Sequence, residues 1–277
     1  FHAAWWTSGL AGLIVLKGIL LAFLFSLPLS EKPQTQASSP FWIMMWTLAV
    51  LAASFRFIER SSQFSDIFTV LLMQWLLGQQ NITRSFVVKL TLLFLLWVQL
   101  HPGFPIAVLL LMLWAAWSSW QIPGFASKKL LCLLVPVAAL AVNPLGIEGA
   151  VYPVRFALNE ANVFKHHNFE WFPAYSKAFR FTPEVIAFWT LSFCAIFLLW
   201  REKKWLSLRG LFTLFSIACA AQAVRFVPWA AFAICLTLKP WAQFTAAKIP
   251  VRSVANLLAV LLLALAVKNL ALGYQSS

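Results

Sequence analysis

Apolar runs of roughly 15 to 25 residues, each long enough to cross a bilayer as a helix, recur along almost the whole chain with only short polar breaks between them. They fall at 8–29, 40–58, 64–78, 85–100, 103–120, 128–142, 183–200, 207–221, 225–238 and 251–272. Continuous runs predict helices, because barrel strands would alternate apolar and polar residues in shorter segments. With 62% hydrophobic and 10% charged residues, a water-soluble domain has no place to bury this much apolar surface. A chain with lipid as its solvent needs no such place. The expected fold class is all-α integral membrane. It has about nine or ten transmembrane helices in a single domain over residues 1–277, with one long outer loop.

The charges sort by side when the runs are laid alternately across a membrane. One side receives Lys32, Arg84, Lys128, Lys129, Arg201, Lys203, Lys204, Arg209, Lys239, Lys248 and Arg252, with Glu31 and Glu202 its only acids. An excess of Lys and Arg in short loops marks the cytoplasmic face. The opposite side receives Arg56, Glu59, Arg60, Asp66, His101, the whole 143–182 segment and Arg225, with both signs mixed. The net charge of +13 is thus spread over loops as membrane topology requires, which argues against nucleic acid as a partner. Trp5, Trp6, Trp42, Trp120, Trp200 and Trp241 lie near run ends, at the depth where an indole bridges lipid and headgroup. Cys132, Cys194, Cys219 and Cys235 all fall inside apolar runs without a Cys-x-x-Cys pair, and read as small buried hydrophobes.

The polar clusters on the mixed-charge side carry what chemistry the sequence offers. His101-Pro102-Gly103-Phe104 makes a tight turn between two spans, and its imidazole could bind a phosphate or donate to a substrate hydroxyl. Asn143-Pro144-Leu145-Gly146 stops one span and opens the long 143–182 loop. That loop interleaves Glu148, Arg155, Glu160, Lys165 and Lys177 with Tyr152, Phe164, Phe169 and Tyr175, and Pro144, Pro153 and Pro173 divide it into short pieces. A plain linker would be richer in Ser and Gly, so a folded or membrane-skimming segment is expected. Within it, His166-His167-Asn168-Phe169-Glu170-Trp171 combines imidazoles, a carboxylate and aromatic rings, as carbohydrate and phosphate sites do. A divalent metal could use the same groups, but adjacent histidines diverge on a helix and there is no His-Glu-x-x-His spacing. Arg225 opens an apolar run, where a charge is costly unless it is paired or interfacial. Its guanidinium suits a lipid-linked phosphate, held bidentately. Glu59-Arg60, with Arg56 nearby, reads as a structural ion pair at a span end.

Walker A, dinucleotide, nucleophile-elbow, haem and iron–sulfur patterns are absent from the sequence. Few charges lie inside the spans, which disfavours an ion relay or a polar transport path. The motifs in order are Glu59-Arg60 before Phe64-Ser65, Leu100-His101-Pro102-Gly103-Phe104, Asn143-Pro144-Leu145-Gly146, Glu170-Trp171 and Val224-Arg225-Phe226-Val227-Pro228. This series, over residues 1–240, resembles bacterial polytopic proteins that are similar to GT-C fold glycosyltransferases, the class of protein mannosyltransferases and aminoarabinose lipid A transferases.

The resemblance implies an enzyme of the bacterial cytoplasmic (inner) membrane, with its site facing the periplasm or exterior. It would transfer a sugar from a polyprenyl-phosphate donor to an acceptor at the outer interface, with a carboxylate as base. His101, Asn143, Arg155, His166, His167, Glu170, Trp171 and Arg225 would then contact substrate. In that superfamily the key acid lies in the first outer loop, and this sequence starts with Phe1, beyond that point. One helix and the catalytic acid are therefore expected upstream of Phe1, with Glu170 as the weaker candidate for the base. The rival from another class is a non-catalytic transmembrane subunit that scaffolds a larger complex with other membrane subunits. Membrane lipids are partners under either reading.

Overall fold

The computed structural model describes residues 15–16, 18–27, 40–54, 62–79, 81–121, 133–159 and 167–245. The expected final span at 251–272 lies outside them. The elements are α1 (Gly18–Leu27), α2 (Pro40–Ala53), α3 (Ser62–Gly78), α4 (Arg84–Leu100), α5 (Pro105–Gln121), α6 (Leu134–Ala139) and α7 (Gly146–Leu158). A 3₁₀ turn at Phe169–Trp171 follows, then α8 (Pro183–Arg201), α9 (Leu208–Gln222), a second 3₁₀ turn at Val224–Phe226 and α10 (Val227–Thr245). The described residues are all-helical with no strand, as the continuous apolar runs predict. Among them α8 is the one helix long and apolar enough to cross a membrane, and α1, α2, α5 and α9 are apolar but shorter.

Local chemistry sets the helix ends. Thr83 caps α4 by accepting from the Phe86 amide at 3.2 Å, and Ser207 caps α9 by accepting from the Gly210 amide at 3.0 Å. Pro183 starts α8, where a missing N–H costs nothing. Lys203, with φ of 52°, closes the α8 C-terminus by adopting the left-handed conformation usual there. The turn into α9 needs glycine at 210, because a Cβ there would stand 2.7 Å from the Trp205 carbonyl oxygen.

Helix α10 is the centre of the molecule, packed against α2, α3, α8 and α9. Every residue from Val227 to Lys239 is buried. A helix that is apolar on all faces is stable only when enclosed in this way. Its polar groups must then find partners inside the protein. Pro240 has no N–H, so the Leu236 carbonyl four residues earlier loses its helical donor. Arg209 Nη1 supplies the replacement, donating to the Leu236 and Thr237 carbonyls at 3.2 and 3.3 Å. Beside it, the Thr213 and Thr237 hydroxyls share a hydrogen bond of 2.7 Å. Cys235 Sγ contacts the Met45 carbonyl at 3.4 Å, while Cys194 and Cys219 are half-buried.

The outer flanks invert the pattern of a soluble protein. Val88, Leu92 and Leu96 form an exposed stripe on α4 at one residue per helical turn, and Phe193, Phe197 and Trp200 do so on α8. The long loop is also more ordered than its prolines imply. Pro153 lies inside α7 instead of ending it. The flanking hydrogen bonds carry the helix past the single missing donor, including the Asn159 amide to the Arg155 carbonyl at 3.0 Å. No residue of α7 is fully buried, and Ile147, Val151, Val154 and Leu158 make one exposed apolar stripe along it.

Arg209→Met should lower stability by about 1–3 kcal/mol by leaving buried carbonyls unsatisfied. Adding Pro240→Ala should recover part of that loss, since the replacement regains a backbone N–H that can donate to the Leu236 carbonyl. Thermal unfolding of the two variants in detergent checks both.

Candidate functional site

The two 3₁₀ turns, at Phe169–Trp171 and Val224–Phe226, are tied together by backbone. The Val224 amide donates to the Phe172 carbonyl at 2.9 Å, and the Ala174 amide to the Ala221 carbonyl at 3.1 Å. Asn168 braces the first turn by accepting from the Glu170 amide at 3.0 Å. These bonds bring Trp171 and Arg225, distant in sequence, into contact. The Arg225 guanidinium carbon stands 4.2 Å from the centre of the Trp171 ring and 5.7 Å from that of Phe226. Phe156 of α7 lies against the same indole at 5.5 Å, and Phe226 meets it edge-on at 6.5 Å.

Stacking on an indole is a favourable position for a guanidinium, worth roughly 0.5–2 kcal/mol depending on desolvation. It also fixes the plane of the fork, and guanidinium hydrogen bonds to phosphate or carboxylate form in that plane. Trp171 Nε1 is buried and has no hydrogen-bond partner among the described residues. Buried indole N–H groups ordinarily have an acceptor. The guanidinium and the indole thus stand together in a frame of aromatic rings; Trp46 and Trp229 have buried indole N–H groups in the same condition.

The other expected site residues divide into three groups. Glu170 stands next to Trp171 in the braced turn and is half-buried, whereas His167 and Arg155 are exposed nearby in the chain. His166, Glu59 and Arg60 lie outside the described residues. Among the described residues no group of three or more His, Cys, Asp and Glu side chains could hold a metal ion.

Asn143 is committed to its turn. Its Nδ2 donates to the Leu140 and Gly146 carbonyls, both at 2.8 Å, and its Oδ1 accepts from the Leu145 amide at 2.9 Å. Gly146, with φ of 57°, and Gly149, whose missing Cβ would press on the Asn143 side chain, make that turn fit. The Asn-Pro-Leu-Gly motif therefore ends α6 and launches α7.

His101 is the hub of a second such device. The Trp97 indole N–H donates to Ser65 Oγ at 2.7 Å, and Ser65 Oγ lies 2.6 Å from His101 Nδ1. The Gly103 amide donates to the same Nδ1 at 3.1 Å. These partners assign Nδ1 as the acceptor and place the proton of the neutral ring on Nε2. Ser65 and His101 are at the distance of a nucleophile and its base. No substrate atom could reach Ser65 Oγ by that route, however. A Cβ at Gly103 would already overlap it and would stand 2.8 Å from Ser65 Cβ. The cluster clamps the α4–α5 turn onto the start of α3. Trp97 is legible in retrospect, being one turn before His101 on the same helix face; Phe64-Ser65 was noted as a motif, but not that Ser65 would meet His101.

The Trp117 indole near the end of α5 donates to the Leu206 carbonyl at 3.0 Å, just before α9 begins. Helix α9 packs on α5 and α10. Arg209 at its start meets Leu236 and Thr237 of α10, and Arg225 comes just before α10 begins, so much of the length of α10 separates the two arginines. Arg201, Lys203 and Lys204 come shortly before Arg209 in the sequence, and Lys239 shortly after Thr237.

Comparison with known protein families, curated proteins and solved structures finds no match to this chain.

Gly103→Ala should destabilise the protein by about 1–3 kcal/mol by overpacking the clamp. Gly103→Ala should cost less in a Ser65→Gly background than in the parent, because two of the three atoms that the new methyl meets belong to Ser65. If Gly103→Ala lowers the unfolding temperature equally in both backgrounds, close approach to Ser65 is not what the glycine protects.

Proposed function

We propose that this chain is a membrane glycosyltransferase of the GT-C type, using a polyprenyl-phosphate sugar donor at the outer face of a bacterial inner membrane. The observation that carries the reading is the Arg225 guanidinium stacked on Trp171, beside an indole N–H with no partner among the described residues. Such a pair suits the phosphate of a lipid-linked donor. The exposed apolar stripes on α4, α7 and α8 support a lipid environment, and the proposal keeps nine or ten spans in all, on the apolar runs of the sequence. In that setting α7 lies along the interface, its stripe toward lipid and Phe156 toward Trp171.

The reaction is a single displacement at the anomeric carbon. The acceptor oxygen forms the new bond, the bond from that carbon to the phosphate oxygen breaks, and polyprenyl phosphate leaves with the electron pair. Arg225 stabilises the charge that grows on the leaving phosphate. A carboxylate takes the acceptor proton. Glu170, next to Trp171 in the braced turn, is the described carboxylate placed for that role.

Arg225→Ala should reduce turnover of a radiolabelled polyprenyl-phosphate sugar by about 10²–10³-fold, the scale of losing one preorganised charge contact. Its unfolding temperature should stay close to that of the parent, and Arg225→Lys should keep part of the activity. Undiminished transfer by Arg225→Ala would remove Arg225 from the mechanism. Intact cellular function after joint replacement of His167, Glu170 and Arg225, with stable co-purifying subunits, would favour the scaffold role instead.

A further inference from the structure

We propose that a cleft beside Arg209 binds the phosphate headgroup of an anionic phospholipid, independently of the site at Trp171 and Arg225. The cleft encloses about 400 Å³ between the α3–α4 and α8–α9 connections. That is within the range of roughly 300–1,000 Å³ usual for ligand clefts. Its wall has two characters. Trp117 and Leu208 form an apolar side, and Gln79, Asn81, Ser207 and Arg209 a polar one, with no carboxylate among the described lining residues.

The wall is built before any ligand arrives. Arg209 is held by the Leu236 and Thr237 carbonyls, so its charge is fixed at the cleft instead of sweeping through solvent. The Trp117 indole is held by the Leu206 carbonyl at 3.0 Å. Gln79 Nε2 donates to the Asn81 carbonyl and folds the α3–α4 connection over the opening. Ser207 is occupied by capping, accepting from the Gly210 amide and donating to the Lys204 carbonyl, so the charge of Arg209 rather than the α9 terminus is the attraction for a ligand.

The surroundings favour an anion. Glu202 is the one acid in the α8–α9 connection, and it lies 3.8 Å from Arg201. Lys203 and Lys204, shortly before Ser207, and Arg84, three residues after Asn81, are exposed cations close in sequence to the lining. The apolar continuation selects the source of that anion. Trp120, one turn beyond Trp117, is 64% exposed. A lipid in the cleft would lay its apolar part against Leu77, Trp117 and Leu208 of the wall and Trp120 beside them, which a soluble phosphate would leave bare. Tryptophan at this depth is also where headgroup contacts concentrate.

The test is lipid retention by the full chain, read by native mass spectrometry after exchange from micelles containing equal phosphatidylglycerol and phosphatidylcholine. Phosphatidylglycerol should be retained preferentially. Asn81→Asp, an exposed change that puts a negative charge at the opening without touching Arg209, should cut that retention by roughly fivefold or more, the scale of one charge contact. Inorganic phosphate at about millimolar concentration should not displace the lipid. Equal retention of the two lipids, or unchanged retention in Asn81→Asp, would overturn the site. Displacement by inorganic phosphate would keep an anion site but overturn the lipid as its occupant.

Discussion

The burial of α10 on every side is the constraint on which the remaining structure depends. A helix enclosed in this way cannot send a broken hydrogen bond to water, so each irregularity in it must be answered by a neighbour. The Pro240 gap is answered by Arg209 and the Thr237 hydroxyl by Thr213, and both partners come from α9. These contacts fix how α9 lies against α10, and hence where its far end delivers Arg225. A charge at the start of α9 would be poorly placed by the helix dipole alone. The two carbonyls of α10 explain its presence.

The polar motifs then fall into two kinds of work. His101 and Asn143 close turns: each side chain collects several backbone or side-chain partners around its own motif, and each needs a glycine close by to make room. Trp171 and Arg225 do something different. They are brought together from separate segments by backbone bonds between two 3₁₀ turns. Asn143 is satisfied within its own turn, whereas His101, through Ser65, and the Trp171–Arg225 pair both need the fold to bring distant segments together. His101 Nδ1 is committed to Ser65 and Gly103, which is the physical basis for placing chemistry at Arg225 instead.

The helical class could be read from the chain, because apolar length is a local property. The number of spans could not, since among the described residues one helix is long and apolar enough to cross a membrane. Nor could the structure of the long loop. Pro153 reads as a breaker, yet α7 continues through it, and its apolar stripe appears only at helical spacing. At the site, Arg225 and Trp171 were both visible as candidates, but their contact was not. The role of Ser65 was equally hidden, because a serine reveals its partner only when the turn 36 residues later folds onto it. Pairings between distant segments leave no periodicity in sequence, so composition and spacing cannot announce them.

The central proposal is that position 167 and position 204 face opposite sides of a membrane, with the Trp171–Arg225 site outward. Labelling with a membrane-impermeant maleimide in intact cells tests it directly, using His167→Cys and Lys204→Cys in separate cysteine-free backgrounds. Both positions are exposed. The account predicts labelling at position 167 in intact cells, and at position 204 only after the membrane is permeabilised. Labelling of both before permeabilisation, or of position 204 alone, would contradict it.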